Sequence, residues 1–437
     1  MYGKVTIIKS FIIPKFIYIS SLLPTPKDII KDLNQLLYKF LWKGVDKTTR
    51  LSTINEYEKE GLKMIDLELM VKSLRLSWLR RIFDTNDGTW KNYIGHLLKH
   101  SGGLFLFHCN YDVRDHPISL QFYLELLQWW AEFREEFSSE NCCHNIIWNN
   151  KDVRINNRPV FYKTFFEAGI VYVNDLLFEL NNIDSYNLIS DRVRKTNFLI
   201  WAGFRHAIPS YLKTNNYSFV TSPLSLTIND KVFDVLIKKS KDYYELLLSK
   251  KAQFPNNSLA LKRDFDLSDD QLKVVTLPHM VCSEPYVKAF QYKVLNSILY
   301  TNTKLCKIGF IADDKCSFCK SEPETLSHFL FDCTHSRLFW NDFELLFYSL
   351  SKEHVTLTLQ DVLIGILYPK RPLLNYLLLI AKVYLWDCRR TRILPNIIGL
   401  KFKIKIKFET EKYICTKNNT LVKFNIKWSI EKISSLM

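Results

Sequence analysis

Glycine is scarce in this chain, with 12 glycines among 437 residues. The patterns GxGxxG, GxxxxGK[ST] and GxSxG do not occur. A glycine-rich loop that holds nucleotide phosphates, or a sharp turn that presents a nucleophilic serine, therefore has no support in the sequence. Hydrophobic residues make up 47% of the chain, which predicts a globular protein with room for two or three domains.

Two further features are missing. The ten cysteines follow no regular spacing, which predicts a reducing, intracellular location in the cytoplasm or nucleus. The first 23 residues are apolar, but Lys4, Lys9 and Lys15 interrupt them and no small-residue cleavage site follows. We therefore expect neither a signal peptide nor a membrane span, and no membrane partner.

Helical periodicity dominates what is present. It predicts helices over 3–24, with Pro14 as a kink or break, over 25–44 and over 65–83. Further helices are predicted near 285–301, 335–352, 372–388 and 397–417, and an exposed loop near 250–270. The stretch "LKFKIKIKFE" at 400–409 alternates like a strand, but its flanks favour a helix. We expect a mainly α fold, a multi-helix assembly with a small CCHC zinc-binding module near the C-terminus.

Positive charge is concentrated at the two ends of the chain, whose net charge is +15. Residues 1–44 hold seven lysines against Asp28 and Asp32, and residues 370–428 hold 14 Lys or Arg against three acidic residues. The remainder is close to neutral. This distribution predicts a polyanionic partner, most plausibly nucleic acid, and a merely solvated basic surface is the alternative.

The segment 310–333, "FIADDKCSFCKSEPETLSHFLFDC", carries two signals. Asp313 and Asp314 resemble the paired aspartates of a polymerase, which hold two Mg²⁺ ions on a turn between apolar strands. The residues that follow, "KCSFCK", do not form an apolar strand, and no partner aspartate stands out upstream. We therefore interpret the two aspartates as a polar turn.

The second signal is a set of metal ligands. Cys316, Cys319, His328 and Cys333 supply three thiolates and one imidazole within 18 residues. Zn²⁺ takes four such ligands tetrahedrally, and a closed set of four leaves no position for substrate, so we predict structural Zn²⁺. Free core cysteines and a redox Cys-x-x-Cys are the alternatives. Cys142, Cys143 and His144, with His108 and Cys109, form a poorer cluster, because adjacent cysteines point in different directions.

These residues resemble a known family. "ETLSHFLFDCTHSRLFWNDF" after the Cys-x-x-Cys is similar to the zinc-binding segment at the C-terminus of non-LTR (LINE-type) retrotransposon reverse transcriptases. Residues 3–44 resemble the thumb of those enzymes, and "EGLKMIDLELMVKSLRLSWLRRI" at 60–82 resembles the element that follows the thumb.

The resemblance implies how the chain is organised and what it binds. We expect thumb-like helices at 1–84, a helical linker at 85–285, a zinc-binding domain at 286–352 and a basic helical segment at 353–437. The family's fingers and palm, with the catalytic aspartates, have no counterpart, so we expect a non-catalytic fragment that binds element RNA or the template-primer, an RNA/DNA hybrid included. The residues expected to contact nucleic acid are Lys4, Lys9, Lys15, Lys315, Lys320, Arg337, Arg389, Arg390, Arg392, Lys401, Lys403, Lys405 and Lys407.

Two alternatives stay open. The chain could belong to an active polymerase that takes the missing palm from another chain of the same element. It could also be a structural or protein-interaction zinc protein without nucleic-acid binding. Salt-dependent binding and primer extension distinguish these alternatives.

Overall fold

A computed structural model describes residues 1–86, 88–137, 145–173, 175, 190, 192–193, 198–214, 224–228, 231–366 and 371–428. Within these residues the protein is mainly α, as the sequence predicts.

The N-terminal helix runs from Tyr2 to Leu22 and changes its winding in the middle. Helix α1, Tyr2–Ile7, passes into a π-helical turn, Ile8–Ile12, and continues as α2, Ile13–Leu22. Pro14 has no N–H and its ring crowds the carbonyl four residues earlier, at Ser10. Ser10 lies in the π turn, whose wider winding leaves room for its carbonyl beside the proline ring. The proline therefore distorts the helix without ending it.

The other helices of the described residues follow in chain order. They are α3 Lys27–Trp42, α4 Arg50–Ile54, α5 Leu67–Leu76, α6 Trp78–Ile82, α7 Thr89–Leu97, α8 Gln121–Phe137, α9 Lys163–Glu167, α10 Phe198–Ala207, α11 Ser210–Thr214, α12 Ser240–Lys251, α13 Asn256–Asp264, α14 Asp269–Leu272, α15 Leu277–Val281, α16 Pro285–Leu295, α17 Asn302–Lys307, α18 Thr334–Ser351, α19 Leu359–Ile364, α20 Pro372–Thr391, α21 Ile397–Lys417 and α22 Leu421–Lys427. Short 3₁₀ turns lie at Tyr57–Lys59, Lys99–Ser101, Gly103–His108, Val113–Asp115 and Lys273–Thr276, and a second π turn lies at His328–Asp332.

The β-structure of the described residues consists of two antiparallel hairpins. Strand β1, Arg154–Ile155, pairs with β2, Arg158–Pro159. Strand β3, Ser225–Ile228, pairs with β4, Lys231–Asp234, and Leu226 lies opposite Phe233. A two-stranded hairpin has little stability alone, so both hairpins depend on the helices that they contact.

The chain divides into two compact units. The first unit comprises 1–12, 33–65 and 251–437, and its core surrounds α20. That helix is buried along most of its length, from Leu373 to Cys388. The helix that the sequence predicts near 372–388 is therefore a core helix.

The second unit comprises 13–32 and 66–250 and has a core of its own. Its centre is the face of α8 that carries Trp130 and Phe133, both fully buried. Arg134 on the same helix is also buried, and its guanidinium donates to the carbonyls of Phe107 and Cys109. These bonds supply partners for a charge that burial removes from water.

Two local predictions have opposite outcomes. The prediction of a loop at 250–270 is wrong, because α13 forms directly after Pro255, which takes the N-cap position. The helix prediction at 400–409 is confirmed by α21. Leu400, Ile404 and Phe408 recur every four residues and are buried, whereas Phe402 and Ile406 are exposed. The apparent alternation is therefore one buried helical stripe and one exposed one.

By length and composition, the helix Tyr2–Leu22 could cross a membrane. The prediction that the chain has no membrane span thus rests on the three lysines within the helix and stays a prediction. The division into segments at 84, 285 and 352 also stays a prediction.

Candidate metal centre

The first two ligands lie on a tight turn. The Cys316 amide donates to the Glu322 carbonyl (2.7 Å), and the Lys320 amide donates to the Cys316 carbonyl (3.1 Å). Lys320 has a left-handed backbone, with φ of 59°. These bonds fold the chain back on itself, so that Cys316 and Cys319 present their sulfurs to the same side.

The other two ligands flank a π-helical turn. His328 begins this turn, and its amide donates to the Thr325 hydroxyl oxygen (3.1 Å). Cys333 follows the turn and also occupies the N-cap position of α18. The N-terminal end of a helix favours a negatively charged ligand such as a thiolate.

The four ligand atoms converge on one point. The sulfurs of Cys316 and Cys333 are 3.8 Å apart, and the Cys319 sulfur is 3.3 Å from Nε2 of His328. All four atoms lie within 4.8 Å of one another. Tetrahedral Zn²⁺ with bonds of about 2.3 Å to sulfur and about 2.0 Å to nitrogen requires separations of roughly 3.5–3.8 Å. The donor set and its spacing therefore fit zinc.

Hydrogen bonds prepare two of the cysteines for metal binding. A hydrogen bond from the Cys316 thiol, with backbone amides of Ser336 and His335 at the start of α18, lowers the pKa of Cys333 to about 4. Burial alone would raise the pKa of Cys319. The Glu322 amide and the Ser321 hydroxyl outweigh burial and bring that pKa to about 7. The same sulfur–sulfur hydrogen bond raises the pKa of Cys316, so zinc has to displace one proton from this pair when it binds.

A buried carboxylate holds the metal loop against the rest of the first unit. Glu324 is fully buried and accepts hydrogen bonds from the Ser317 amide (2.7 Å) and the Asn302 amide (2.9 Å). Arg389 of α20 donates from Nε to the same carboxylate (2.7 Å) and from its terminal nitrogen to Oδ1 of Asn302 (2.8 Å). Burial opposes ionisation of Glu324, but the bonds to Arg389 and Ser317 lower its pKa overall.

The two aspartates of the polymerase-like signal precede this loop. The Asp313 carboxylate accepts the Lys315 amide (3.0 Å), and the Asp314 carbonyl accepts the Glu324 amide (2.8 Å). In the described part of the chain, the Cys/His cluster is the one group of three or more His, Cys, Asp or Glu side chains arranged to hold a metal ion. Cys142, Cys143 and His144 lie outside the described residues.

Fold and site together define a class: a mainly α protein with a structural CCHC zinc module. Residues 268–340 match the family described as zinc-binding in reverse transcriptase. The chain thus carries a reverse-transcriptase-related zinc segment, which contains all four ligands. No curated protein matches the chain.

The predicted nucleic-acid contacts near the N-terminus and the zinc site lie in varied surroundings. Lys4 donates to the carbonyls of Phe40 (2.5 Å) and Leu41 (3.2 Å) at the end of α3, and Lys9 donates to the Lys63 carbonyl (3.2 Å). The exposed side chains in this set are Lys9, Lys15, Lys315, Lys320 and Arg337. Arg337 lies 3.5 Å from Asp332.

The C-terminal basic residues separate into two groups. The exposed ones are Arg390, Arg392, Lys401 and Lys405. Lys403 pairs with Asp387 and Lys407 with Glu284, on the opposite side of α21. The Arg389 side chain is only 11% exposed and holds Glu324, so the structure gives it a positioning role in the metal loop instead of a place on the nucleic-acid surface.

Sequence reasoning missed three lysines that line one groove of the first unit. They are Lys43, Lys47 and Lys293. Lys43 and Lys47 are near neighbours in the chain, whereas Lys293 comes from a distant segment, and no local signal in the sequence links it to them.

Proposed function

We propose that this chain is a non-catalytic, nucleic-acid-binding part of a non-LTR (LINE-type) reverse transcriptase, with element RNA or an RNA/DNA hybrid as its partner. The observation that carries the proposal is the zinc segment at 268–340, which is related to reverse transcriptases. In such a protein the zinc ion stabilises a loop and takes no part in chemistry, because four protein ligands close its coordination sphere.

The exposed face of α21 supports nucleic acid as the partner. Lys401 and Lys405 lie one helical turn apart on this face, with Phe402 (66% exposed) and Ile406 beside them. Lysines on flexible stems contact phosphates as point charges, and an exposed aromatic ring offers a surface on which a base stacks. Contacts of this kind position a nucleic acid and do not read its sequence.

The location follows from the same proposal. Because the cysteines that hold zinc must stay reduced, we expect the protein in a reducing compartment, the cytoplasm or the nucleus. The polymerase part of the same element is a further proposed partner.

Binding of a fluorescent single-stranded RNA over a range of salt concentrations tests the proposal. If about six phosphates are neutralised, the logarithm of affinity falls with the logarithm of salt at a slope near −4. Each phosphate contact contributes about 0.7 to the slope, so Lys401→Gln with Lys405→Gln should flatten it by about 1.4. The double substitution should weaken binding by the same factor for RNAs of different sequence.

The matched control removes the same charge from the other side of the helix. Lys403→Gln with Lys407→Gln breaks the pairs with Asp387 and Glu284, and should change the slope less than the exposed pair does. Affinity that is absent, or independent of salt, in the wild-type protein would contradict the proposal.

A protein-interaction role is the second candidate function. Ile398, Phe402 and Ile406 expose apolar surface on α21, as a helix that docks on another protein does. A wild-type chain that holds zinc yet binds no RNA would favour this role.

A further inference from the structure

Two adjoining cavities form one groove in the first unit. The larger, of 390 Å³, lies between the start of α1, the end of α3 and α16, and the smaller, of 110 Å³, continues it toward Tyr300 and Trp386. Both cavities are lined by Lys47, Tyr286, Ala289 and Lys293. We call this feature the lysine groove. Its larger part falls within the range of about 300–1,000 Å³ that is usual for ligand pockets.

The lining of the lysine groove carries charge of one sign. Among the residues that the structure describes, Lys4, Lys43, Lys47 and Lys293 line it, and no aspartate or glutamate does. Within the described residues, none of these four lysines forms an ion pair. The nearby carboxylates already have partners, since Asp46 pairs with Arg50 and Glu284 with Lys407.

The lysines repel each other in two pairs, Lys4 with Lys43 and Lys47 with Lys293. Burial lowers the pKa of Lys4, and the charge of Lys43 lowers it further. Burial and then the charge of Lys47 likewise lower the pKa of Lys293. Like charges held together without a carboxylate cost free energy, and a bound anion relieves that cost.

Aromatic rings border the same groove. Tyr286 is 53% exposed and Tyr300 is 46% exposed. The Lys47 ammonium lies 4.9 Å from the centre of the Tyr300 ring. Arg390, one of the exposed basic residues of the C-terminal segment, lies close enough to Tyr286 to interact with it. A free phosphate would use the lysines alone, whereas alternating cations and exposed rings match a chain of phosphates and bases.

From this combination we propose that the lysine groove binds single-stranded nucleic acid, with phosphates on Lys43, Lys47 and Lys293 and a base stacked on Tyr300. The proposal rests on the proposed function and assigns it a second surface, separate from the exposed face of α21. The groove contacts arise from residues that are far apart in the chain, so an intact first unit is required for them.

The test compares variants of the full-length, zinc-loaded chain in binding a fluorescein-labelled 12-nucleotide RNA. Lys47→Gln with Lys293→Gln should flatten the salt slope by about 1.4, at about 0.7 per lost phosphate contact. Because Lys293 is partly buried, Lys43→Gln with Lys47→Gln, both exposed, provides a second pair with the same expectation. The matched control is Lys39→Gln with Lys307→Gln, two exposed lysines of the first unit outside the groove.

Tyr300→Leu tests the stacking contact. It should weaken RNA binding by about 5- to 150-fold, the range typical of one base on an aromatic ring, and leave the salt slope unchanged. Inorganic polyphosphate of matched charge serves as the competitor without bases. A tyrosine variant that binds RNA as tightly as wild type, together with full competition by polyphosphate, would overturn the proposal in favour of a simple anion site.

Failure of this inference can be told apart from failure of the proposed function. If both groove pairs behave like the control pair while Lys401→Gln with Lys405→Gln reduces binding, the groove proposal is wrong and the proposed function stands. If the wild-type chain binds no RNA, both proposals are wrong.

Discussion

Gly61 occupies a position where the backbone of another residue leaves no room for a side chain. A Cβ built there would lie 1.7 Å from the backbone oxygen of Asn55 and 2.1 Å from its carbonyl carbon. The segment is held in place by hydrogen bonds from the Gly61 amide to the Glu56 carbonyl (2.8 Å) and from the Lys63 amide to the Asn55 carbonyl (3.0 Å). The clash therefore involves backbone that cannot shift without losing these bonds.

We expect Gly61→Ala to destabilise the protein beyond the usual range of about 0.5–3 kcal/mol for single substitutions. Gly95→Ala is the control, because Gly95 lies inside α7 with open space around it. Alanine there should stabilise by about 0.5–1 kcal/mol through its better helix propensity. Thermal unfolding followed by circular dichroism measures both effects, and equal small effects would contradict the steric argument.

Glu60, the neighbouring residue, predicts a dependence of stability on pH. Burial raises its pKa to about 8, and its carboxyl group interacts with the Ser258 hydroxyl and with Nδ2 of Asn296. Between about pH 4.5 and 8 the folded chain keeps a proton on Glu60, whereas the unfolded chain has lost it. Since the folded state binds more protons in this window, its stability falls as the pH rises, by up to about 1.4 kcal/mol per pH unit.

Glu60→Gln removes the titrating group and keeps most of the shape of the side chain. We expect the free energy of unfolding, measured in urea from pH 5 to 8, to decline less steeply in this variant than in the wild type. Comparison with the wild type at each pH cancels the contributions of other titrating groups. Parallel curves for the two proteins would show that Glu60 ionises normally.

At the scale of elements, the metal loop depends on α20. The Arg389 guanidinium reaches Glu324 and Asn302 at once, which fixes the loop beside the metal ligands. Arg389→Lys keeps the charge but loses the fork geometry, so one of the two contacts must be lost. Contacts of this kind around a metal site typically change affinity by about 10- to 100-fold.

We therefore expect Arg389→Lys to lower zinc affinity by about that factor in a competition assay with a chromophoric chelator. Arg390→Lys is the matched control, because Arg390 is the next residue of the same helix and is exposed. An equal effect of the two substitutions would mean that the Glu324 contact does not position the ligands.

At the scale of the whole molecule, the four zinc ligands found among the described residues all belong to the first unit. Cys316 and Cys333 are part of the core of the first unit, beside Phe329 and Leu330. The core of the second unit contains none of these residues. Loss of the metal should therefore act on one core and leave the other unchanged.

We expect one Zn²⁺ per chain, and its removal by a chelator, by Cys319→Ser or by His328→Ala should increase hydrogen exchange over residues 310–345. Exchange in α8 of the second unit should stay as it is. Cys306→Ser is the control, since Cys306 lies near the loop but outside the ligand set. A folded, reduced sample without zinc would contradict the assignment of the site.

The sequence by itself determined the features that depend on near neighbours in the chain. The four zinc ligands lie within 18 residues, so their spacing alone predicts a closed site. The helices α20 and α21 follow from periodicity, although α21 needed its flanks to distinguish a helix from a strand. Its buried stripe at every fourth residue arises from the geometry of the helix itself.

Only the tertiary structure decided what distant residues do together. Arg389 belongs to a basic cluster in sequence, but Glu324, 65 residues earlier, takes it out of solvent. Lys43 and Lys293 line one groove because the end of α3 and α16 border it. The sequence predicts an exposed loop at 250–270, yet Leu261, Phe265 and Leu267 pack against the core of the first unit and stabilise α13 beside it. The physical reason is the same in each case. Burial and charge pairing depend on which distant segments pack together, and the local composition of the chain does not reveal those tertiary contacts.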